Sequence, residues 1–140
     1  MNYDNPWKHN LLGPISEDNI PDGAKAFVYI ITNTKTNKKY VGKKTLFFAK
    51  SKKLKNGRRK RSTVNSDWKS YYGSNKELLS DIELLGKENF TREIVRFCYS
   101  KGEANYHEAF LQFKYEVLFG EDWYNSWISV KISRKHVLRK

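Results

Sequence analysis

The stretch FVYIITNTKTNKKYVGKKT, residues 27–45, puts Tyr29 inside one apolar run and Tyr40 at the start of the next. Val41, Gly42, Lys43 and Lys44 follow at once. The two tyrosines are 11 residues apart with turn-forming residues midway. They therefore fall on adjacent antiparallel strands, where their rings can converge on one face. A phenol titrating near ~10 is a poor base unless neighbouring cations favour its phenolate, and Lys44 is placed to do that. Phenols beside ammonium groups suit phosphodiester hydrolysis, which must activate a water and counter charge on the phosphoryl oxygens. The plain alternative is cross-strand packing, since tyrosine is favoured in strands.

The charge pattern points to the same chemistry. The net charge is +12, yet no acidic residue lies between Asp22 and Asp67, an interval holding 14 of the 27 Lys and Arg. The other 13 basic residues face 15 acidic ones, a net of −2. A stretch so one-sided repels itself unless a polyanion neutralises it, which makes nucleic acid the leading partner. Its centre, KSKKLKNGRRKR over 50–61, reads as a mobile basic loop; a merely solubilising loop is the bland alternative. No apolar run approaches a membrane span. The N-terminus lacks the basic and apolar pattern of a secretory signal, so a cytoplasmic location is expected, that of the host cell if the chain is phage-encoded. Cys98 is the single cysteine, which excludes an internal disulfide.

These residues need elements to position them. Residues 1–24 carry all three prolines and read as an irregular arm pinned by Trp7 and Leu11-Leu12. AFVYIIT (26–32) and KKYVG (38–42) make a hairpin through the turn residues NTKTNK, with Gly42 at its exit. Ser66 or Asp67 caps a short helix bearing Trp68, Tyr71 and Tyr72. NKELLSDIELLG predicts a helix with Ser74 and Glu77 as a capping box and Gly86 as its stop. NFTREIVRFC (89–98) predicts a third strand, with Phe90, Ile94 and Phe97 in imperfect alternation. A long helix is expected from Glu103 to Phe119 with Gly120 as its stop, and WYNSWISVKI as a strand or an extended cover. The sum is one small α+β domain over 25–130 with a three-stranded antiparallel sheet, followed by a basic tail over 131–140.

With the order in place, FVYII followed by KYVGK resembles the paired signature of the GIY-YIG nuclease family. Phe27-Val28-Tyr29 stands where Gly-Ile-Tyr would be, and Tyr40-Val41-Gly42 matches the second element closely. NYHEAFLQF and WYN complete the pattern, and with VGKK and DWKSYYGSNKELL they look most like the short phage-type, homing-endonuclease-like members. The resemblance spans roughly residues 26–128. It implies a DNA endonuclease in which Glu108 holds one Mg²⁺ or Mn²⁺, and it places Asn125 as a residue that orients a ligand or caps the site. Gly42 is then both strand exit and opening for substrate, and Tyr71 stands where the family has a histidine or tyrosine. The family's helix arginine is not placed in this sequence, because a basic insertion intervenes and the helix reads Trp68-Lys69-Ser70-Tyr71. Lys44 is the candidate to supply its charge, with Lys69, Arg58, Arg59 and Arg61 in reserve.

On this basis Tyr29 or Tyr40 is the general base, Tyr29 preferred, and Lys44 counters phosphate charge. DNA contacts are expected from Lys43, Lys50, Lys52, Lys53, Lys55, Arg58, Arg59, Lys60, Arg61 and Lys69. Glu103 and Glu116 rival Glu108, since a helical glutamate is usually just solvated. His107 and His136 are left out as structural, Cys98 reads as a small buried apolar residue, and Trp68 as packing. A single site nicks one strand; cutting both requires a homodimer or two encounters. Specificity must come from the basic loop, the arms or an accessory partner. The competing hypothesis is a nucleic-acid-binding module without hydrolytic activity, and RNA is not excluded as the polymer.

Overall fold

The computed structural model describes residues 3–130 and Arg134; the expected tail over 131–140 otherwise lies outside the described residues. The strands are β1 (Lys8–His9), β2 (Gly13–Pro14), β3 (Ala26–Asn33), β4 (Lys39–Thr45), β5 (Phe47–Lys53), β6 (Arg59–Asn65) and β7 (Phe90–Cys98). The α-helices are α1 (Lys76–Leu85) and α2 (Lys101–Lys114), and the expected short helix after Asp67 is a single 3-10 turn over Trp68–Ser70 that leaves Tyr71 and Tyr72 outside it. The α+β class is as expected, but the main sheet has five strands in the order β2-β1-β7-β3-β4. β3 pairs antiparallel with both β4 and β7, while β1 joins β7 in parallel. The two extra strands come from the supposedly irregular arm, whose Trp7 is wholly buried and donates from Nε1 to the Trp68 carbonyl at 2.6 Å.

β3 is apolar at consecutive positions because it is covered on both faces, as a central strand must be. Phe27, Tyr29 and Ile31 face Trp7, Leu78, Ile82 and Tyr124; Ala26 and Val28 face Ala104, Leu111 and Val117. The imperfect alternation of β7 has a specific cause. Its register against β3 runs Tyr29 to Ile94 and then Val28 to Arg96, so Val95 is an extra residue. This bulge resets the phase, and Phe97 joins Phe90 and Ile94 on one buried face.

Local caps differ from expectation by small steps. Asn75, not Ser74, caps α1, its Oδ1 accepting from the Leu78 amide at 2.9 Å. Gly86 ends the helix at φ +92°, a conformation that suits glycine. α2 starts earlier, capped by Ser100, and stops at Lys114, short of Phe119. The turn is completed by Glu116 at φ +50°, which leaves Gly120 outside the helix. The interval 50–61 is not a loop: it is most of a two-stranded ribbon, β5 and β6, separate from the main sheet.

Candidate active site

β4 is the edge of the main sheet, so groups from both of its faces can wrap around that edge into one cleft. A cavity of about 250 Å³ forms there, lined by Tyr29, Tyr40, Tyr71, Lys43, Glu108 and Asn125 among others. Tyr29 sits opposite Gly42 in the ladder and Tyr40 opposite Ile31, so the two phenols are diagonal neighbours on one face. Their ring centroids are 6.2 Å apart, and Tyr71 meets Tyr29 edge-on at 6.1 Å. The glycine is a steric requirement. A Cβ at position 42 would overlap the Tyr29 hydroxyl and approach a Tyr40 ring carbon to 2.9 Å. The Tyr29 ring thus lies over the bare backbone of β4.

Glu108 arrives from α2, on the opposite side of the sheet from the phenols. Its side chain is 16% exposed and receives Lys43 Nζ at 3.4 Å. Burial pushes its carboxyl pKa up, and the Lys43 ammonium opposes that rise. One turn along α2, Gln112 donates from Nε2 to the Val41 carbonyl at 3.4 Å, while its buried Oε1 has no hydrogen-bond partner. Asn125 bonds the same strand twice: its Oδ1 accepts from the Val41 amide at 3.0 Å and its Nδ2 donates to the Val41 carbonyl at 2.9 Å. The chain reaches this position by pairing at Trp123 with Lys39, after which the Asn125 side chain continues the ladder. Asn125 therefore caps the edge of β4 while lining the cleft.

Burial pushes the Tyr29 phenol well above its ordinary pKa, with Tyr71 and Tyr40 adding to the effect. Tyr40 is raised for the same first reason, partly offset by its hydrogen bond to Ser74. Both rest as neutral phenols near pH 7, so a base role needs cationic charge close by. Among the described residues no three His, Cys, Asp or Glu cluster as a metal site. The Glu108 carboxylate and the orphaned Gln112 oxygen are nonetheless hard donors, and they fit a Mg²⁺-like cation whose other ligands are water and phosphate.

Lys44 lies outside the cleft lining. Its Nζ pairs with Asp67 at 2.6 Å, 4.1 Å from the Tyr71 ring centroid and 5.0 Å from that of Phe48. Lys43, expected only to contact DNA, is the ammonium that borders the cleft. Lys69 pairs with Glu17. Lys50, Lys52, Lys53, Lys55, Arg58, Arg59, Lys60 and Arg61 all stand exposed on the ribbon. Of the rival carboxylates, Glu103 is buried and Glu116 exposed, and neither lines the cleft. Cys98 and Trp68 are both buried in the core.

Two residues escaped the sequence reading. Gln112 carried a signal, its i+4 spacing from Glu108 on one helix face. Arg92 carried none, since a strand arginine normally points to solvent. Here it is 1% exposed, sandwiched on Trp7 at 4.6 Å and Tyr72 at 4.1 Å. It donates to the carbonyls of Asn5, Lys69 and Tyr71, tying the N-terminal arm to the segment that carries Tyr71.

A family model described as "Putative endonuclease segE, GIY-YIG domain" matches residues 7–128. No curated protein and no solved structure matches the chain.

Proposed function

Because this chain belongs to the GIY-YIG endonuclease family, we propose that it hydrolyses DNA phosphodiester bonds with a divalent cation, in the cleft at the edge of β4. One observation carries the assignment: Tyr29, Tyr40 and Glu108, drawn from both faces of the sheet, line a single cavity.

Glu108 and the Gln112 oxygen would hold Mg²⁺ or Mn²⁺, which supplies Lewis acidity toward a phosphate oxygen. Lys43 opposes the rise that burial imposes on the Glu108 pKa, and would turn its ammonium to the phosphate once a cation takes its place. The base comes from the phenol pair, Tyr29 first. Gly42 and Tyr71 hold its hydroxyl in one place, and a base so positioned is worth about 10²–10⁴-fold. Asn125 and Gln112 both bond the Val41 carbonyl, which fixes the strand beneath the phenols. Lys44 acts on the cleft indirectly, through the Tyr71 ring.

The test is supercoiled plasmid incubated with the protein in Mg²⁺, in Mn²⁺ and in EDTA. Nicked circles in either metal and none in EDTA are expected, with linear product later if two encounters are needed. Plasmid bound in every condition and cut in none would instead make this a binding module on the same scaffold.

A further inference from the structure

β5 and β6 pair only with each other, from Phe47 with Asn65 to Lys53 with Arg59, and every residue of both is exposed. The register sets Lys52 opposite Lys60 and Lys53 opposite Arg59, like charges that repel across a ladder. Strand alternation puts Lys50, Lys52 and Lys60 on one face and Lys53, Arg59 and Arg61 on the other. Neither face is apolar, and neither carries an acid. A flat anionic surface would engage one face and leave the other repelling itself. A partner with phosphates on two sides would engage both.

The ribbon is built to hold its shape despite that repulsion. Its tip is closed by the Leu54 amide on the Arg58 carbonyl at 2.7 Å and by Asn56 Oδ1 on the Arg58 amide at 3.0 Å, with Gly57 at φ +82°. Its root is tied where β4 ends: the Ser66 amide donates to the Leu46 carbonyl at 2.9 Å, and Ser66 Oγ donates to the Thr45 carbonyl at 2.6 Å. From that root, Lys44 touches both Phe48 of the ribbon and Tyr71 of the cleft.

We propose that this ribbon enters the major groove of B-form duplex DNA edge-on, each face placing its cations against the phosphates of one strand. The inference rests on the nuclease reading above and names its substrate as duplex DNA. The B-DNA major groove is about 12 Å wide and admits a two-stranded ribbon. A ribbon with side chains on both faces is roughly 10 Å thick, by the spacing of packed sheets. The deep, narrow major groove of A-form RNA excludes it, and a single strand offers phosphates to one face alone.

The experiment is fluorescence anisotropy in EDTA with one sequence as duplex DNA, single-stranded DNA and duplex RNA, across a salt series. The variants are Lys50→Ser/Lys52→Ser/Lys60→Ser and Lys53→Ser/Arg59→Ser/Arg61→Ser. Circular dichroism and a thermal midpoint for each variant check that the fold persists. The wild type should prefer duplex DNA over both other polymers by about tenfold or more. Each triple variant should lower the slope of log K against log salt by about 2–3, at ~0.9 per phosphate contact. Equal affinity for duplex RNA or single strands, or a slope change confined to one variant, would overturn the groove model. Plasmid nicking by the wild type is scored separately. The two-face pattern without nicking would refute the nuclease reading and uphold the ribbon, and nicking with a one-face pattern would do the reverse.

Discussion

β4 and β5 are consecutive strands of equal length, yet they meet opposite environments. β4 lies against β3, and its Val41 is buried and its Gly42 overlain by an aromatic ring; β5 is exposed at every position. One turn of chain at Leu46 separates the two. The first carries the phenol of Tyr40, whose proton affinity burial has raised, and lies beneath that of Tyr29 on β3; the second carries the exposed ammonium groups of Lys50, Lys52 and Lys53, with Arg59 and Arg61 beside it on β6. Under the proposed function, the difference divides the labour between tuned chemistry in the cleft and long-range attraction on the ribbon. Cleft variants should therefore act on rate and stability, and ribbon variants on salt-dependent affinity.

If the proposed chemistry holds, the largest effect in this comparison is expected from Tyr29→Phe. Single-turnover cleavage should fall by about 10²–10⁴-fold. The wild-type rate should still be climbing beyond about pH 9, because a base must be deprotonated and burial places this phenol above its ordinary value of ~10. A wild-type profile already flat from neutral pH, together with full activity in Tyr29→Phe, would remove the phenol from the chemistry.

Next comes the support of the cleft. Arg92→Leu strips donors from three carbonyls and removes two ring contacts, so urea unfolding should show a loss of about 2–4 kcal/mol. Exchange protection should drop together in the arm around Asn5 and in the segment at Tyr71. An unchanged midpoint would mean the guanidinium is not the clamp.

Two glycines give the finest contrast. Gly42→Ala must displace the Tyr29 ring and should cost about 1–3 kcal/mol by overpacking, with cleavage falling as well. Gly57→Ala at the ribbon tip meets nothing within 4 Å and strains only its φ of +82°, so the cost is about 1 kcal/mol or less and cleavage chemistry is untouched. Equal costs at both sites would erase the proposed difference between the two strands.

Much of the cleft's side of this contrast was legible in the sequence. The turn residues between Tyr29 and Tyr40 fix the hairpin, and the order of motifs fixes where Glu108 and Asn125 fall. What could not be read was set by partners distant in sequence. β1 becomes a strand only because β7 offers it an edge, and Arg92 is buried only because Trp7 and Tyr72 close around it. The phase slip in β7 needed its pairing with β3 to become a bulge. The ribbon was misread for a different reason: lysine and arginine are poor strand formers. The Asn56-Gly57 pair at its tip was the local hairpin signal that outweighed them.

The central claim is that the carboxylate reaching around the edge of β4 is part of the hydrolytic centre. Single-turnover cleavage of a saturating duplex in Mg²⁺, wild type against Glu108→Gln, tests it most directly. Losing the charge should remove several kcal/mol of transition-state stabilisation, about 10³-fold in rate, while duplex binding in EDTA stays near the wild-type value. Cleavage at the wild-type rate by Glu108→Gln would contradict the account.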